Sequence, residues 1–316
     1  MRGALLCLLS AAGFGTLGIF GKLAFDSGVN VSTALLVRFA IAAVAFALIV
    51  KVTGRGRDFK RLPRRIVLTG LVLGGVGYSL QSGLYFGAID RMDVSTVSLL
   101  LYTYPAFVTV AAIALGRITP SARITAALVV ASAGLVLVLL AAGTGAFDAV
   151  GALCAIGASV AYTIYILVSD RVVGGIDGFV LPMLVLAGAT FSFALVGLAS
   201  GTVDLSLPAE AWLWLGLMAL VSTVVAVSAF FAGLRLVGPS EAAILSTFEP
   251  VVTVSLAFVV LGERLQPAQL AGGVLVLAAV ILLQLPARRA PVLGQSSSFE
   301  RASSSSARTS PEPLSP

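Results

Sequence analysis

Long apolar stretches alternate with short polar connections along most of the chain. The apolar runs cover about 3–22, 31–51, 66–86, 94–115, 121–141, 150–169, 179–199, 210–231, 240–261 and 267–285. Each run is close to the roughly 20 residues that an α-helix needs to cross a bilayer. Because a membrane-spanning segment must satisfy its own backbone hydrogen bonds, this pattern predicts an all-α integral membrane protein with ten transmembrane helices.

The composition excludes a soluble globular protein. Of the 316 residues, 59% are hydrophobic and 11% are charged, whereas soluble domains carry about 25% charged residues. The chain has no histidine, which excludes histidine-based acid–base chemistry and most zinc or haem sites. It also contains no ATP-binding motif. We therefore expect no cofactor and no direct coupling to ATP.

The distribution of lysine and arginine predicts the orientation. If the N-terminus is cytoplasmic, sixteen of the 20 basic residues fall in inside segments and three fall outside, namely Lys22, Arg91 and Arg264. Such an excess on the cytoplasmic side predicts a multi-pass membrane protein with both termini in the cytoplasm. We interpret the basic connection at 51–65 as a topology determinant that attracts anionic membrane lipids, not as a nucleic-acid site.

The two halves of the chain resemble each other. Adding 145 to Pro105 gives Pro250, and adding 148 to Gly3-Ala4-Leu5 gives Gly151-Ala152-Leu153. The halves, 3–141 and 150–285, each hold five predicted spans, so the second enters the membrane from the opposite face. Two inverted five-helix repeats are typical of secondary transporters, whose site lies near the midplane. The alternative interpretation of the first run, a cleaved signal peptide, would destroy this symmetry.

Three stretches resemble a known family. They are "LLVRFAIAA" around Arg38, "LSTFEPVVTVSLAFVVLGERLQPAQLAGGVLVL" at 245–277 and its weaker copy "LLYTYPAFVTVAAIALGRITPSARITAALVV" at 100–130. With them the chain resembles the EamA-type transporters of the drug/metabolite transporter superfamily over about 3–285. The resemblance implies ten helices in two repeats and an inner-membrane exporter or permease for small metabolites. Two departures are Arg117, where the first repeat often carries an acid, and Phe14-Gly15, where many members show Trp-Gly.

Glu249 is the first candidate site residue. It lies roughly 14 Å into the ninth run, where an acidic residue costs about 2.5–3.5 kcal/mol on insertion scales. Pro250 frees a backbone carbonyl one turn back, and Ser246, Glu249 and Thr253 would share one helical face, with Thr247 beside it. This pattern predicts a site facing a cavity, where Glu249 carries a proton or binds a cationic group. The alternative is a structural carboxyl hydrogen-bonded to Ser246 or to the freed carbonyl.

Arg38 is the second candidate, about 10 Å into the second run. It could contact an anionic substrate group, pair with an acid such as Glu249, or extend its side chain toward the interface.

Aromatic residues with polar groups suggest the walls of a cavity for amphipathic metabolites. The candidates are Tyr78 and Gln81 in the third run, Tyr104 in the fourth, and Tyr162 and Tyr165 in the sixth. Hydrogen bonding between helices is the alternative role. Pro105 and Pro250 interrupt their helices near mid-depth and are predicted either to act as hinges or to form static kinks.

Together these features predict a secondary active transporter, not an enzyme, that moves small metabolites, amino-acid-like compounds or drugs by alternating access. Coupling to protons through Glu249 is the leading hypothesis, and an uncoupled facilitator is the alternative. An intramembrane enzyme or a scaffold is a more remote alternative. The sequence leaves open whether the chain works as a homodimer. The Ser- and Pro-rich tail at 288–316 is predicted to be disordered.

Overall fold

The structure is a computed structural model of the chain that describes residues 1–142, 148–172 and 176–285. Within these ranges the regular structure is entirely helical. The predicted disordered tail at 288–316 lies outside the described residues.

Among the described residues, ten helices are long and apolar enough to cross a membrane, which confirms the predicted all-α fold. In chain order, spans 1 to 10 are Arg2–Asp26, Val31–Val52, Arg64–Ile89, Val94–Ala114, Ala122–Ala141, Ala149–Asp170, Val180–Ala199, Ala209–Val237, Glu241–Leu261 and Pro267–Gln284. A further short helix, Gly56–Arg61, lies in the basic connection between spans 2 and 3.

Five of the spans are not continuous α-helices. Span 1 breaks at Thr16, span 4 at Tyr102 and Thr103, and span 9 at Thr247 and Phe248. Spans 3, 8 and 9 contain π-helical segments at Leu73–Tyr78, Leu220–Val225 and Ala257–Leu261. Local departures of this kind release backbone groups and occur frequently at functional sites.

The breaks in spans 4 and 9 follow from proline chemistry. The helical segments within these spans are Val94–Leu101 and Tyr104–Ala114, and Pro239–Ser246 and Glu249–Leu256. The prolines at 105 and 250 are the second residues of their helices. Proline is tolerated there because the first-turn N–H groups have no helical acceptor.

Glycines allow the closest contact between spans 3 and 7. A methyl group added at Gly74 would overlap the Val185 backbone, and one added at Gly188 would overlap the Leu71 carbonyl. Small residues at such crossings let two backbones approach directly, which supplies van der Waals contact where lipid offers no hydrophobic driving force.

The ends of spans 4 and 9 are joined by a carboxylate. Gly262 adopts φ +70° and ends span 9, and the Glu263 oxygens accept hydrogen bonds from the backbone N–H groups of Val94 at 2.7 Å and Ser95 at 2.9 Å. An acidic group at a helix N-terminus satisfies unpaired donors and complements the helix dipole. Glu263 therefore fastens the end of span 9 to the start of span 4.

Candidate functional site

Two adjoining cavities lie among the spans. The smaller cavity has a volume of about 110 Å³ and is lined by residues of spans 1, 2, 3, 4, 6 and 9. The larger one, of about 350 Å³, is lined by residues of spans 1, 3, 4, 6, 7, 8, 9 and 10. Both are lined by the same six side chains, namely Phe14, Tyr78, Tyr102, Tyr104, Tyr162 and Glu249.

Glu249 faces both cavities from the break in span 9. Its side chain is half-buried, and its Oε2 atom accepts a hydrogen bond of 2.9 Å from the Tyr102 hydroxyl. No lysine or arginine among the described residues forms an ion pair with it. A carboxyl group at this depth without a cationic partner is available to a proton or to a cationic ligand.

The carbonyl group freed by each proline accepts a hydrogen bond from a hydroxyl group of another span. Residue 250 has no N–H to donate to the Ser246 carbonyl, and that carbonyl instead accepts from the Tyr102 hydroxyl at 3.0 Å. In span 4, Pro105 leaves the Leu101 carbonyl without its helical donor, and the Ser159 hydroxyl donates to it at 3.2 Å. The two breaks are thus stabilised in the same way but by different partners.

Arg38 is buried, with 1% of its surface exposed, and contributes to the smaller cavity. Its Nε donates to the Thr223 hydroxyl at 3.0 Å, and its Nη2 lies 3.5 Å from the Tyr78 hydroxyl. The guanidinium carbon is 4.9 Å and 5.6 Å from the ring centroids of Phe39 and Phe86. The side chain therefore does not extend to the interface.

Arg38 also has no acidic partner among the described residues, so the considered pairing with Glu249 is not formed. The smaller cavity consequently contains a buried cation and a half-buried carboxyl group that do not neutralise each other by direct contact.

Tyrosine rings form one side of the larger cavity. Tyr104 and Tyr162 have ring centroids 4.7 Å apart, Tyr162 and Tyr165 stack at 6.1 Å, and Tyr78 lies 5.8 Å from Tyr165. These four predicted residues are brought together from spans 3, 4 and 6. Gln81, also predicted, lines the smaller cavity.

The remaining predicted residues have more local contacts. Ser246 lines the larger cavity, but its hydroxyl donates to the Ala242 carbonyl. Thr247 lines neither cavity, and its hydroxyl donates to the Ile244 carbonyl. Thr253 is buried and lines neither cavity, and its hydroxyl lies 3.1 Å from both the Gly15 carbonyl, just before the break of span 1, and the Glu249 carbonyl. The break at Thr247 and Phe248 separates Ser246 from Glu249, so their i, i+3 spacing is not that of one continuous helix, whereas Glu249 and Thr253 lie in the same helix.

Sequence reasoning missed Tyr102. The residue is 5% exposed and lies in the break of span 4, three positions before Pro105. Its place at a proline-induced break was a usable signal, because freed carbonyls in membrane helices need a nearby donor. Its contact with span 9 could not be derived from the local sequence.

Comparison with known proteins identifies the class. The model of the EamA-like transporter family matches residues 1–140 and 149–285. The chain belongs to the EamA-like transporter family, and it is a multi-pass membrane transporter of the drug/metabolite transporter superfamily. Such a transporter implies a small-molecule substrate and a lipid environment.

A solved structure shares the fold. A crystal structure of a protein with 18% sequence identity superimposes with a TM-score of 0.63, covering 89% of this chain and 95% of that one. At this identity the similarity describes the fold alone. No protein with a curated description matches the chain.

Proposed function

We propose that the protein is a secondary active transporter that exports small, amino-acid-like metabolites across the inner membrane, with Glu249 as its proton site. The observation that carries the proposal is the presence of Arg38 and Glu249 in one cavity, neither with an oppositely charged partner among the described residues. Ionisable groups inside a membrane protein are costly and normally mark a substrate or ion pathway.

The chemistry of the cavities favours substrates that carry both charges and an apolar part. Arg38 can bind a carboxylate with its fork of donors, and the Glu249 carboxyl can accept from an ammonium group or exchange a proton. The tyrosine wall supplies apolar area with polar edges. The larger cavity, at about 350 Å³, is within the range of small-molecule sites.

The proposed mechanism is alternating access between two inverted five-helix repeats. The larger cavity includes Phe231 and Gln284, residues near the ends of spans that the topology assigns to the cytoplasm. At the opposite end, Glu263 fastens span 9 to span 4. These contacts support a conformation open to the cytoplasm, and the breaks beside Pro105 and Pro250 are the natural hinges for reversing it.

A second candidate is an uncoupled facilitator. It is favoured by the exposure of Glu249 to both cavities, because a carboxyl group in that position can contact a cationic substrate group without carrying a proton.

The test compares the wild type, Glu249→Gln and the matched control Glu241→Gln at equal membrane levels. Glu241 is exposed in the same span. Metabolites are profiled in cells and medium, and the exported compound is then studied in vesicles. We expect Glu249→Gln to lower its export about tenfold or more, since a hydrogen bond to a charged group contributes roughly 1.5–3 kcal/mol, and Glu241→Gln to behave like the wild type.

An imposed pH gradient separates the two candidates. A coupled transporter accumulates the compound only with the gradient, and Glu249→Gln abolishes the accumulation. A facilitator equilibrates the compound with or without the gradient. Equal export by the wild type and Glu249→Gln would contradict both roles of Glu249.

A further inference from the structure

One hydroxyl group serves two acceptors at the break in span 9. The Tyr102 oxygen lies 2.9 Å from Glu249 Oε2 and 3.0 Å from the Ser246 carbonyl oxygen. A phenolic hydroxyl has a single hydrogen to donate, and its oxygen can also accept. Tyr102 therefore cannot fully satisfy both acceptors at once while Glu249 is ionised.

The protonation state of Glu249 decides how this hydrogen is used. When Glu249 is ionised, it accepts from Tyr102, and the Ser246 carbonyl loses its donor. When Glu249 is protonated, it can donate to the Tyr102 oxygen, and Tyr102 can then donate to Ser246. Both arrangements use the same heavy-atom positions, because the three oxygens already lie within hydrogen-bond distance.

We propose that Tyr102 is a positioning residue for Glu249, redirecting its hydroxyl hydrogen between Glu249 and the Ser246 carbonyl as the carboxyl group gains or loses a proton. This inference rests on the proposed proton site. Its consequence is that deprotonation withdraws the donor from the carbonyl that Pro250 leaves unpaired. Proton release at Glu249 thus leaves the breaks of spans 4 and 9 joined through Tyr102 by one hydrogen bond instead of two.

At the corresponding break in span 4, the freed carbonyl does not share its donor with an ionisable group. The Leu101 carbonyl accepts from Ser159, whose oxygen is also 3.1 Å from the Thr103 hydroxyl. Neither partner is ionisable, and Tyr104 stands where the 145-residue offset places Glu249. Of these two breaks, only the one in span 9 therefore places a titratable group beside the donor of the freed carbonyl.

The surroundings allow the carboxyl group to be observed separately. The other titratable or charged side chains that line the two cavities with Glu249 and Tyr102 are Arg38, Tyr78, Tyr85, Tyr104, Tyr162 and Tyr165. None of them is a carboxyl group. Spans 1, 8 and 10, which pack against span 9, face the larger cavity with uncharged side chains such as Phe14, Thr223 and Gln284.

The test is an infrared pH titration of the purified full-length protein in lipid nanodiscs, without substrate. The carboxylic C=O band of Glu249 is identified as the band that Glu249→Gln lacks. We expect Tyr102→Phe to move the frequency of this band and to shift its pH midpoint by about one unit, because a hydrogen bond to a charged group is stronger than one between neutral groups. Tyr104→Phe, a matched change in the same cavities, should leave both unchanged.

A second variant tests the role of the hydrogen bond between Tyr102 and the Ser246 carbonyl. Pro250→Ala supplies the N–H that the Ser246 carbonyl lacks, so Tyr102 no longer gains an acceptor when Glu249 is protonated. We expect the pH midpoint of the Glu249 band to shift in Pro250→Ala in the opposite direction to its shift in Tyr102→Phe. This measurement also decides the matter if Tyr102→Phe does not fold.

The outcomes separate the two proposals. If the wild type shows no titrating band that Glu249→Gln removes, the proton site itself is wrong, and the role of Tyr102 is refuted with it. If the band titrates but neither Tyr102→Phe nor Pro250→Ala moves its midpoint, the proton site stands and Tyr102 is only a structural contact.

Discussion

Replacing Arg38 with methionine should stabilise the substrate-free protein while abolishing its transport. Arg38 is buried without an acidic partner among the described residues. A cation at this depth costs about 2.5–3.5 kcal/mol. An ionisable group at that cost inside the membrane is expected to serve the substrate.

The magnitude follows from the contacts that the guanidinium makes. A hydrogen bond to Thr223 at 3.0 Å, a longer one to Tyr78 at 3.5 Å and the two aromatic rings offset much of the cost of burial. Removing Arg38 leaves no orphaned partner at Thr223, because its hydroxyl also donates to the Met218 carbonyl at 3.1 Å. We therefore expect Arg38→Met to stabilise the fold by about 1–2 kcal/mol, at the lower end of the range for replacing buried charges by apolar groups.

The assay is thermal unfolding in detergent with a parallel transport measurement. For a chain of 316 residues the gain corresponds to a rise in Tm of about 1.5–3 °C, because the unfolding entropy grows with chain length. Arg57→Met is the control, since Arg57 is exposed in the short helix Gly56–Arg61 and should change stability by less than about 0.5 kcal/mol. The exported compound should raise the Tm of the wild type but not that of Arg38→Met.

A fall in the Tm of Arg38→Met by several degrees would refute this reasoning. It would show that the fold depends on the guanidinium, and it would remove Arg38 from the proposed binding site. Unchanged transport by a stable Arg38→Met protein would lead to the same conclusion about the site.

Two predictions concern stability alone. Glu263→Ala should destabilise the fold by about 1–2 kcal/mol, because it leaves two N–H groups at the start of span 4 without an acceptor. The control replaces the exposed neighbour Arg264 by alanine. Equal Tm values for the two variants would contradict the capping role of Glu263. Gly188→Ala should cost about 1–3 kcal/mol, since the added methyl group meets the Leu71 carbonyl. Gly87→Ala, which meets no atom within 4 Å, should be neutral or slightly stabilising, so similar Tm values for both glycine variants would argue against close packing of spans 3 and 7.

For the predicted site residues, the sequence indicated the depth in the membrane but not the contacts between side chains. Glu249 and Pro250 could be placed at a break near mid-membrane from the sequence, because depth follows from counting residues along an apolar run. Arg38 could be placed inside span 2 by the same count. Whether the two charges meet could not be derived, because the contacts of a side chain depend on which spans pack together.

The sequence by itself determined the ten spans and the presence of ionisable groups within them. Span length is a local property, set by the thickness of the bilayer and by the need of each helix to satisfy its own backbone. The tertiary structure decided which side chains form hydrogen bonds with the backbone groups freed at each helix break. Tyr102 reaches the Ser246 carbonyl and Glu249 across 144 and 147 residues of chain, and such contacts arise only when the packing of all the spans brings distant helix breaks to the same depth.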